Sequence, residues 1–89
     1  MRERIFVIED HFQIKGRGLI ITGKIEKKST VLKIGTPIIV CRPDGSEVET
    51  KIAGIEMCSP PNFKIEAILI HNLTKDDLPV GSYVFINSN

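Results

Sequence analysis

Tryptophan is absent from this 89-residue sequence, tyrosine occurs once, and the four phenylalanines are scattered. So few aromatic residues argue against the stacking platform with which many proteins bind single-stranded nucleic acid. Charge of one sign is also missing, because 12 basic residues face 11 acidic ones and the formal net charge is +1. That balance excludes a global electrostatic attraction to nucleic acid and leaves open only a local basic patch.

Cysteines are few and long apolar runs are missing. Cys41 and Cys58 are too few and too widely spaced for a disulfide framework or a zinc ribbon, so we expect two reduced thiols. No apolar run approaches the roughly 20 residues that a membrane span requires. The first ten residues, MRERIFVIED, lack the pattern of a signal peptide. We therefore expect a cytoplasmic protein without a membrane partner.

Catalytic and metal-binding sets do not stand out either. His11 and His71 are lone histidines, and a metal site would need two or three further ligands at suitable spacing. The segment Gly18–Lys24 fits most of a phosphate-binding loop, but Ile25 stands where a hydroxyl must bind magnesium. Its bulky, mostly β-branched residues also favour a strand over an open loop. We predict no enzyme activity, no metal and no cofactor.

What the sequence does contain is a succession of short apolar segments separated by turn residues. Apolar residues make up 42% of the chain and are mostly isoleucine and valine, which favour strands. Residues 38–41 and 47–53 flank the turn sequence RPDGS, which predicts a hairpin. Residues 74–77 have the pattern of a short helical turn, with Thr74 as the cap and Asp77 three residues later. Six or seven strands and no convincing helix predict one all-β domain over residues 1–89, a barrel or a sandwich.

The segment 12–26, FQIKGRGLIITGKIE, holds three of the seven glycines. Glycine inside a strand pattern usually marks a bulge, a tight bend, or the close approach of a ligand or another backbone. If the strand alternation continues through Gly16, Lys15 and Arg17 project from one face as candidate phosphate contacts. The alternative interpretation is an ordinary solvated face.

These residues resemble the signature F-x-I-x-G-R-G-x-x-x-T-G-[RK]-[IV]-E, which opens the second domain of translational GTPases of the elongation factor Tu and initiation factor 2 type. The likeness lies in FQIKGRG at 12–18 and TGKIE at 22–26. It continues in order through LKIG at 32–35, GIEM at 54–57 and KDDLPVG at 75–81, and covers about residues 5 to 86. The resemblance implies a closed six-stranded Greek-key barrel.

In that family the domain does no chemistry, contacts the GTPase domain and receives the terminal adenosine of aminoacyl-tRNA in a pocket. The resemblance therefore implies a non-catalytic binding module linked to translation. Its expected partner is tRNA or another RNA 3′ end, or a translation-associated protein or GTPase domain. The positions that match the family's pocket are Ile14, Gly16, Ile20, Glu56 and Leu69. Apolar side chains there would sandwich a base, the glycine would let it approach the backbone, and the carboxylate would accept a hydrogen bond.

Two alternatives stay open. On strand alternation alone, Glu56 is also an ordinary acid on the solvent face of a strand. The sequence departs from the family pattern at Cys58-Ser59, at Phe63-Lys64-Ile65 and at His71-Asn72. The alternative function is a protein–protein interaction adaptor that keeps the barrel without RNA binding. Salt should separate the two, because phosphate contacts weaken steeply with salt whereas an apolar contact does not.

Overall fold

The computed structural model describes residues 2–24, 32–56 and 65–87. Over these ranges the chain forms eight strands and no helix, so the all-β prediction is confirmed. The strands are β1 (Arg2–Val7), β2 (Asp10–Ile14), β3 (Gly18–Lys24), β4 (Pro37–Cys41), β5 (Glu47–Lys51), β6 (Gly54–Glu56), β7 (Ile65–Ile70) and β8 (Tyr83–Asn87).

The strands form two antiparallel sheets of four. Sheet I has the order β1-β8-β4-β5, and sheet II has the order β2-β3-β7-β6. The predicted hairpin is confirmed, since β4 pairs with β5 in a register that sets Val40 opposite Val48. Among the described strands neither sheet closes on itself. The closed six-stranded barrel is therefore not confirmed.

The chain passes from sheet I to sheet II at two corners. After β1, the N–H of Glu9 donates to the carbonyl of Thr22 on β3 at 2.8 Å. After β5, the N–H of Ala53 donates to the carbonyl of Leu69 on β7, also at 2.8 Å. Only two residues separate β1 from β2 and β5 from β6. The consecutive strands β1 and β2 therefore form one extended segment that bends at the corner, and so do β5 and β6. At each bend the segment leaves one partner strand and pairs with another.

One face of each sheet contributes to a single hydrophobic core. Because successive strand residues point to opposite faces, Leu19 and Ile21 of sheet II enter the core while Ile20 points away from it. Gly23 lies where sheet II meets β1, and a β-carbon there would collide with the Val7 carbonyl oxygen and the Phe6 ring. The fully buried core side chains are Ile5, Phe6, Ile8, Leu19, Ile21, Ile38, Val40, Ile52, Ile68, Ile70, Leu78 and Val84.

The turn predicted at residues 74–77 is present, closed by hydrogen bonds from the N–H groups of Asp77 and Leu78 to the Thr74 carbonyl, but it is not helical and its capping acceptor is Asp77 instead of Thr74. The Asp77 carboxylate accepts a hydrogen bond from the N–H of Thr74 at 2.8 Å and another from its hydroxyl at 3.2 Å. The guanidinium of Arg42 donates through Nε to the carbonyl of Asp77 at 2.7 Å. This bond ties the turn to the end of the β4–β5 hairpin.

Candidate ligand-binding face

Sheet II has an outer face, opposite the core, on which apolar residues from neighbouring strands line up. Ile20 on β3 lies between Phe12 on β2 and Leu69 on β7, and Leu69 in turn lies opposite Gly54 on β6. We call these four residues the apolar row. We call each set of residues paired across the strands a rank. In the next rank on this face, two residues further along each strand, the polar Thr22 lies between its partners on β2 and β7. The apolar row thus runs across all four strands of the sheet.

Leu69 occupies the centre of this face and is unusual in its burial. It is only 7% exposed, although it does not belong to the core cluster. A β-carbon on Gly18 would lie 3.4 Å from its Cδ1, and one on Gly54 would lie 3.3 Å from its Cβ. Two glycines on the flanking strands therefore leave the space into which Leu69 packs.

Gly18 is required for a second reason. Its φ is +136°, and a β-carbon would also come within 2.5 Å of the Ile70 carbonyl oxygen. Only glycine combines that backbone conformation with so close an approach. The residue therefore allows β3 to start directly against the end of β7.

Three of the predicted site residues meet on the outer face. Ile20 and Leu69 are directly paired, and half-buried Ile14 lies one rank away, opposite Gly18. Glu56 occupies the register position opposite Ala67, the neighbouring rank to the Gly54–Leu69 pair. The side chain of Glu56 lies outside the described part of the chain.

Gly16, Lys15 and Arg17 lie in the turn between β2 and β3. Gly16 has φ +82°, and a β-carbon added to it would meet nothing within 4 Å, so the position is open to solvent. The N–H of Arg17 donates to the Ile14 carbonyl at 3.0 Å and closes the turn. The condition under which Lys15 and Arg17 would share one strand face is not met, because the strand ends at Ile14 and the chain reverses there. Both side chains are exposed at the end of the outer face.

Two members of the apolar row were not among the predicted site residues. Phe12 is 46% exposed, a large solvent-facing aromatic beside Ile20. Its place was available from the sequence, since Phe12 and Ile14 are two residues apart in an alternating strand and share a face. Gly54 could not have been found that way, because its contact with Leu69 depends on the pairing of β6 with β7.

The outer face of sheet I carries charged and aromatic side chains instead. Arg2 and Glu47 form an ion pair at 2.7 Å, and Arg4 stacks on the ring of Tyr83 at 4.9 Å. The rings of Tyr83 and Phe85 meet edge to face with their centroids 6.5 Å apart. An open trough of about 500 Å³ lies on this sheet, away from the predicted site. Its lining residues are Pro37, Ile38, Ile39, Glu49, Thr50, Lys51 and Asn87.

On sheet I, Arg2 and Cys41 both donate a hydrogen bond to the carboxylate of Glu47. The hydrogen bond from Arg2 lowers the pKa of Glu47, and the same bond raises the pKa of Arg2. The thiol of Cys41 donates to Glu47 at 3.3 Å, and its pKa is raised, mainly by burial and then by this bond. Cys41 is a free thiol, whereas Cys58 lies outside the described residues.

Residues 2–24, 32–56 and 65–87 contain no group of three or more His, Cys, Asp or Glu side chains placed to hold a metal ion. They contain no helix long and apolar enough to cross a membrane. No model of a known protein family matches the sequence.

Proposed function

We propose that this chain is a non-catalytic binding module that holds the 3′ end of an RNA on the outer face of sheet II. The module is of the translational-GTPase second-domain type and works with the translation apparatus in the cytoplasm. The observation that carries the proposal is the apolar row. A sheet face turned away from the core normally carries polar side chains, whereas this one carries Phe12, Ile20 and Leu69.

The chemistry of the row suits a flat, weakly polar group such as a nucleobase. Ile20 and the largely buried Leu69 offer an apolar floor, and the exposed ring of Phe12 offers a stacking surface at its side. The turn with Lys15 and Arg17 lies at the end of the same face. We expect both cations to contact the backbone phosphate that follows a base seated on the row.

The same proposal includes the barrel. If each bent segment counts as one strand, the order becomes β1/β2, β3, β7, β6/β5, β4, β8 and returns to β1. That order has six strands and joins the two sheets at both corners, whereas the side of β5 that faces away from β4 has no partner among the described strands. The hydrogen bonds of Glu9 with Thr22 and of Ala53 with Leu69 support it, because they connect the sheets at both corners.

A protein–protein adaptor is the second candidate function. The observation that favours it is Phe12, which is 46% exposed on an apolar face of a chain with a net charge of +1. An exposed aromatic within an apolar patch is common at protein interfaces. The adaptor would use the same apolar row without the phosphate contacts.

The test is an NMR titration of the ¹⁵N-labelled protein with a short single strand that ends in CCA, at low and moderate salt. We expect amide shifts confined to Gly18, Ile20, Gly54 and Leu69, which weaken as salt rises because phosphate contacts release counterions. Phe12→Ala should weaken the binding by about tenfold, the effect of losing one base–aromatic stack.

Tyr83→Ala is the matched control, because Tyr83 is 44% exposed but lies on sheet I. It should bind the strand as the wild type does. The absence of shifts at low salt would reject RNA-end binding. A protein ligand whose binding is insensitive to salt and abolished by Phe12→Ala would then support the adaptor.

A further inference from the structure

The β5 strand is an edge of sheet I. Among the described strands it pairs with β4 alone, so none adjoins its other side. Main-chain hydrogen bonds at both ends of the hairpin show which residues of β5 face β4. The N–H of Arg42 donates to the carbonyl of Ser46 at 2.8 Å, and the N–H of Ile52 donates to the carbonyl of Thr36 at 3.0 Å. Because bonded and non-bonded pairs alternate along an antiparallel ladder, the backbone groups of positions 48 and 50 face β4. Those of positions 47, 49 and 51 therefore face outward.

The side chains beside this outward edge have a pattern that complements itself. Glu49 and Lys51 are both exposed and lie on the outer face of sheet I, with half-buried Thr50 between them on the other face. Read antiparallel against its own copy, the sequence Glu-Thr-Lys places an acid opposite a base, threonine opposite threonine, and a base opposite an acid.

We propose that two copies of this chain associate through antiparallel pairing of their β5 edges, with Glu49 of each copy opposite Lys51 of the other. In this register both facing residues present outward backbone groups, so each Glu49–Lys51 pair exchanges two main-chain hydrogen bonds. Thr50 lies on the two-fold axis opposite its copy. The contact is isologous, as expected for a two-fold dimer.

The neighbouring registers are less favourable. A shift of one residue sets outward backbone groups against inward ones, which cannot bond. A shift of two sets like charges against each other at the two-fold axis, Glu49 against its own copy in one direction and Lys51 against its own copy in the other. In the proposed register the pairing ends where Glu47 meets Ala53, because the N–H of Ala53 already donates to Leu69. The shared stretch is short, and the dimer is correspondingly weak.

Sedimentation equilibrium of the full chain at low salt tests the association, over protein concentrations on the order of 10 µM to 1 mM that suit a weak complex. We expect the dimer fraction of the wild type to rise with concentration. Glu49→Lys places Lys opposite Lys at both pairs, and Lys51→Glu places Glu opposite Glu. Each single variant should therefore dimerise at least about tenfold more weakly.

Two further samples identify the partner and the register. The double variant with Glu49→Lys and Lys51→Glu restores both pairs and should recover the dimer. An equimolar mixture of the two single variants should form a heterodimer, since a chain with two lysines meets a chain with two glutamates. Both substituted positions are exposed on an edge strand, so the fold should persist; circular dichroism checks this.

The outcomes are distinct. A wild type that stays monomeric over the whole range overturns the proposal and leaves the edge to strands of other proteins. Single variants that dimerise like the wild type, or a mixture that forms no heterodimer, overturn the pairing of Glu49 with Lys51. None of these results depends on RNA binding, because β5 lies in sheet I and the apolar row in sheet II.

Discussion

Arg2 and Glu47 lie on the two opposite edge strands of sheet I, and their side chains nevertheless meet across β8 and β4. The two guanidinium nitrogens reach the two carboxylate oxygens at 2.7 and 3.0 Å. The pair is open to water, with side-chain exposures of 44% and 43%. Exposed ion pairs of this kind contribute little to stability, so we expect its main effect on the titration of Glu47.

Arg2→Ala should raise the pKa of Glu47 toward its ordinary value, because the hydrogen bond from Arg2 is the main cause that lowers it. A carboxyl whose pKa is lower in the folded state stabilises the fold above its unfolded pKa. That contribution is lost as the pH falls through the folded pKa. The variant should therefore show a weaker loss of stability on the acid side. Carboxyl ¹³C NMR over an acid titration measures the change directly.

Asp44 is an internal control in the same titration. Its pKa is lowered mainly by hydrogen bonds from the hydroxyl and the N–H of Ser46, at 2.6 and 2.9 Å. Those bonds do not involve Arg2, so Arg2→Ala should leave the Asp44 midpoint where it is. An unchanged Glu47 midpoint would mean that the ion pair is not formed in solution.

Cys41 should react slowly with alkylating reagents. The thiolate is the nucleophile, and burial together with the bond to Glu47 raises the pKa of the Cys41 thiol. Glu47→Gln removes the carboxylate but not the burial, and should accelerate alkylation by less than about tenfold. Mass spectrometry after iodoacetamide treatment near pH 8, in a Cys58→Ser background, measures the rate. A native Cys41 that reacts as fast as the urea-unfolded chain would contradict the prediction.

Local patterns predicted the parts of the fold that depend on neighbouring residues. The β4–β5 hairpin followed from alternation on both sides of the turn that contains Pro43 and Gly45, and the structure confirms it. The eight strands of the described ranges outnumber the six or seven predicted. The extra strands come from the two corners, where no glycine or proline marks residues 8–9 or 52–53. Each segment is divided there because its hydrogen bonds pass to a strand distant in the sequence, which local patterns do not predict.

The candidate site shows the same limit. The run Ile68-Leu69-Ile70 is apolar at every position, so its alternation is invisible in the sequence. The register with β3 decides that Ile68 and Ile70 enter the core while Leu69 faces Ile20 on the outer face. The turn at residues 15–17 was open to two interpretations, because glycine in a strand pattern fits both a bulge and a reversal.

Gly23→Ala should destabilise the fold severely, by roughly 3 kcal/mol or more, because the new methyl group overlaps backbone and ring atoms at a tightly packed corner. Gly16→Ala is its control. Nothing lies within 4 Å of the added group there, so its cost is the left-handed backbone alone, about 1–2 kcal/mol. Urea unfolding followed by circular dichroism gives both values. Equal costs would mean that the contact of Gly23 with Val7 and Phe6 does not limit the packing.

Leu69→Ala and Ile68→Ala together separate binding from stability. Both side chains are largely buried, at 7% and 0% exposure, and each substitution should cost about 2–4 kcal/mol of unfolding free energy. Leu69 faces the proposed ligand surface, whereas its neighbour Ile68 faces the core. Only Leu69→Ala should therefore weaken the binding of a CCA-ended strand, with affinities measured at a temperature where both variants are folded.

If the alanine variants unfold, Leu69→Val and Ile68→Val repeat the comparison with a smaller loss of stability. Equal losses of affinity at positions 68 and 69 would indicate a general effect of destabilisation and would remove the outer face of sheet II as the ligand surface.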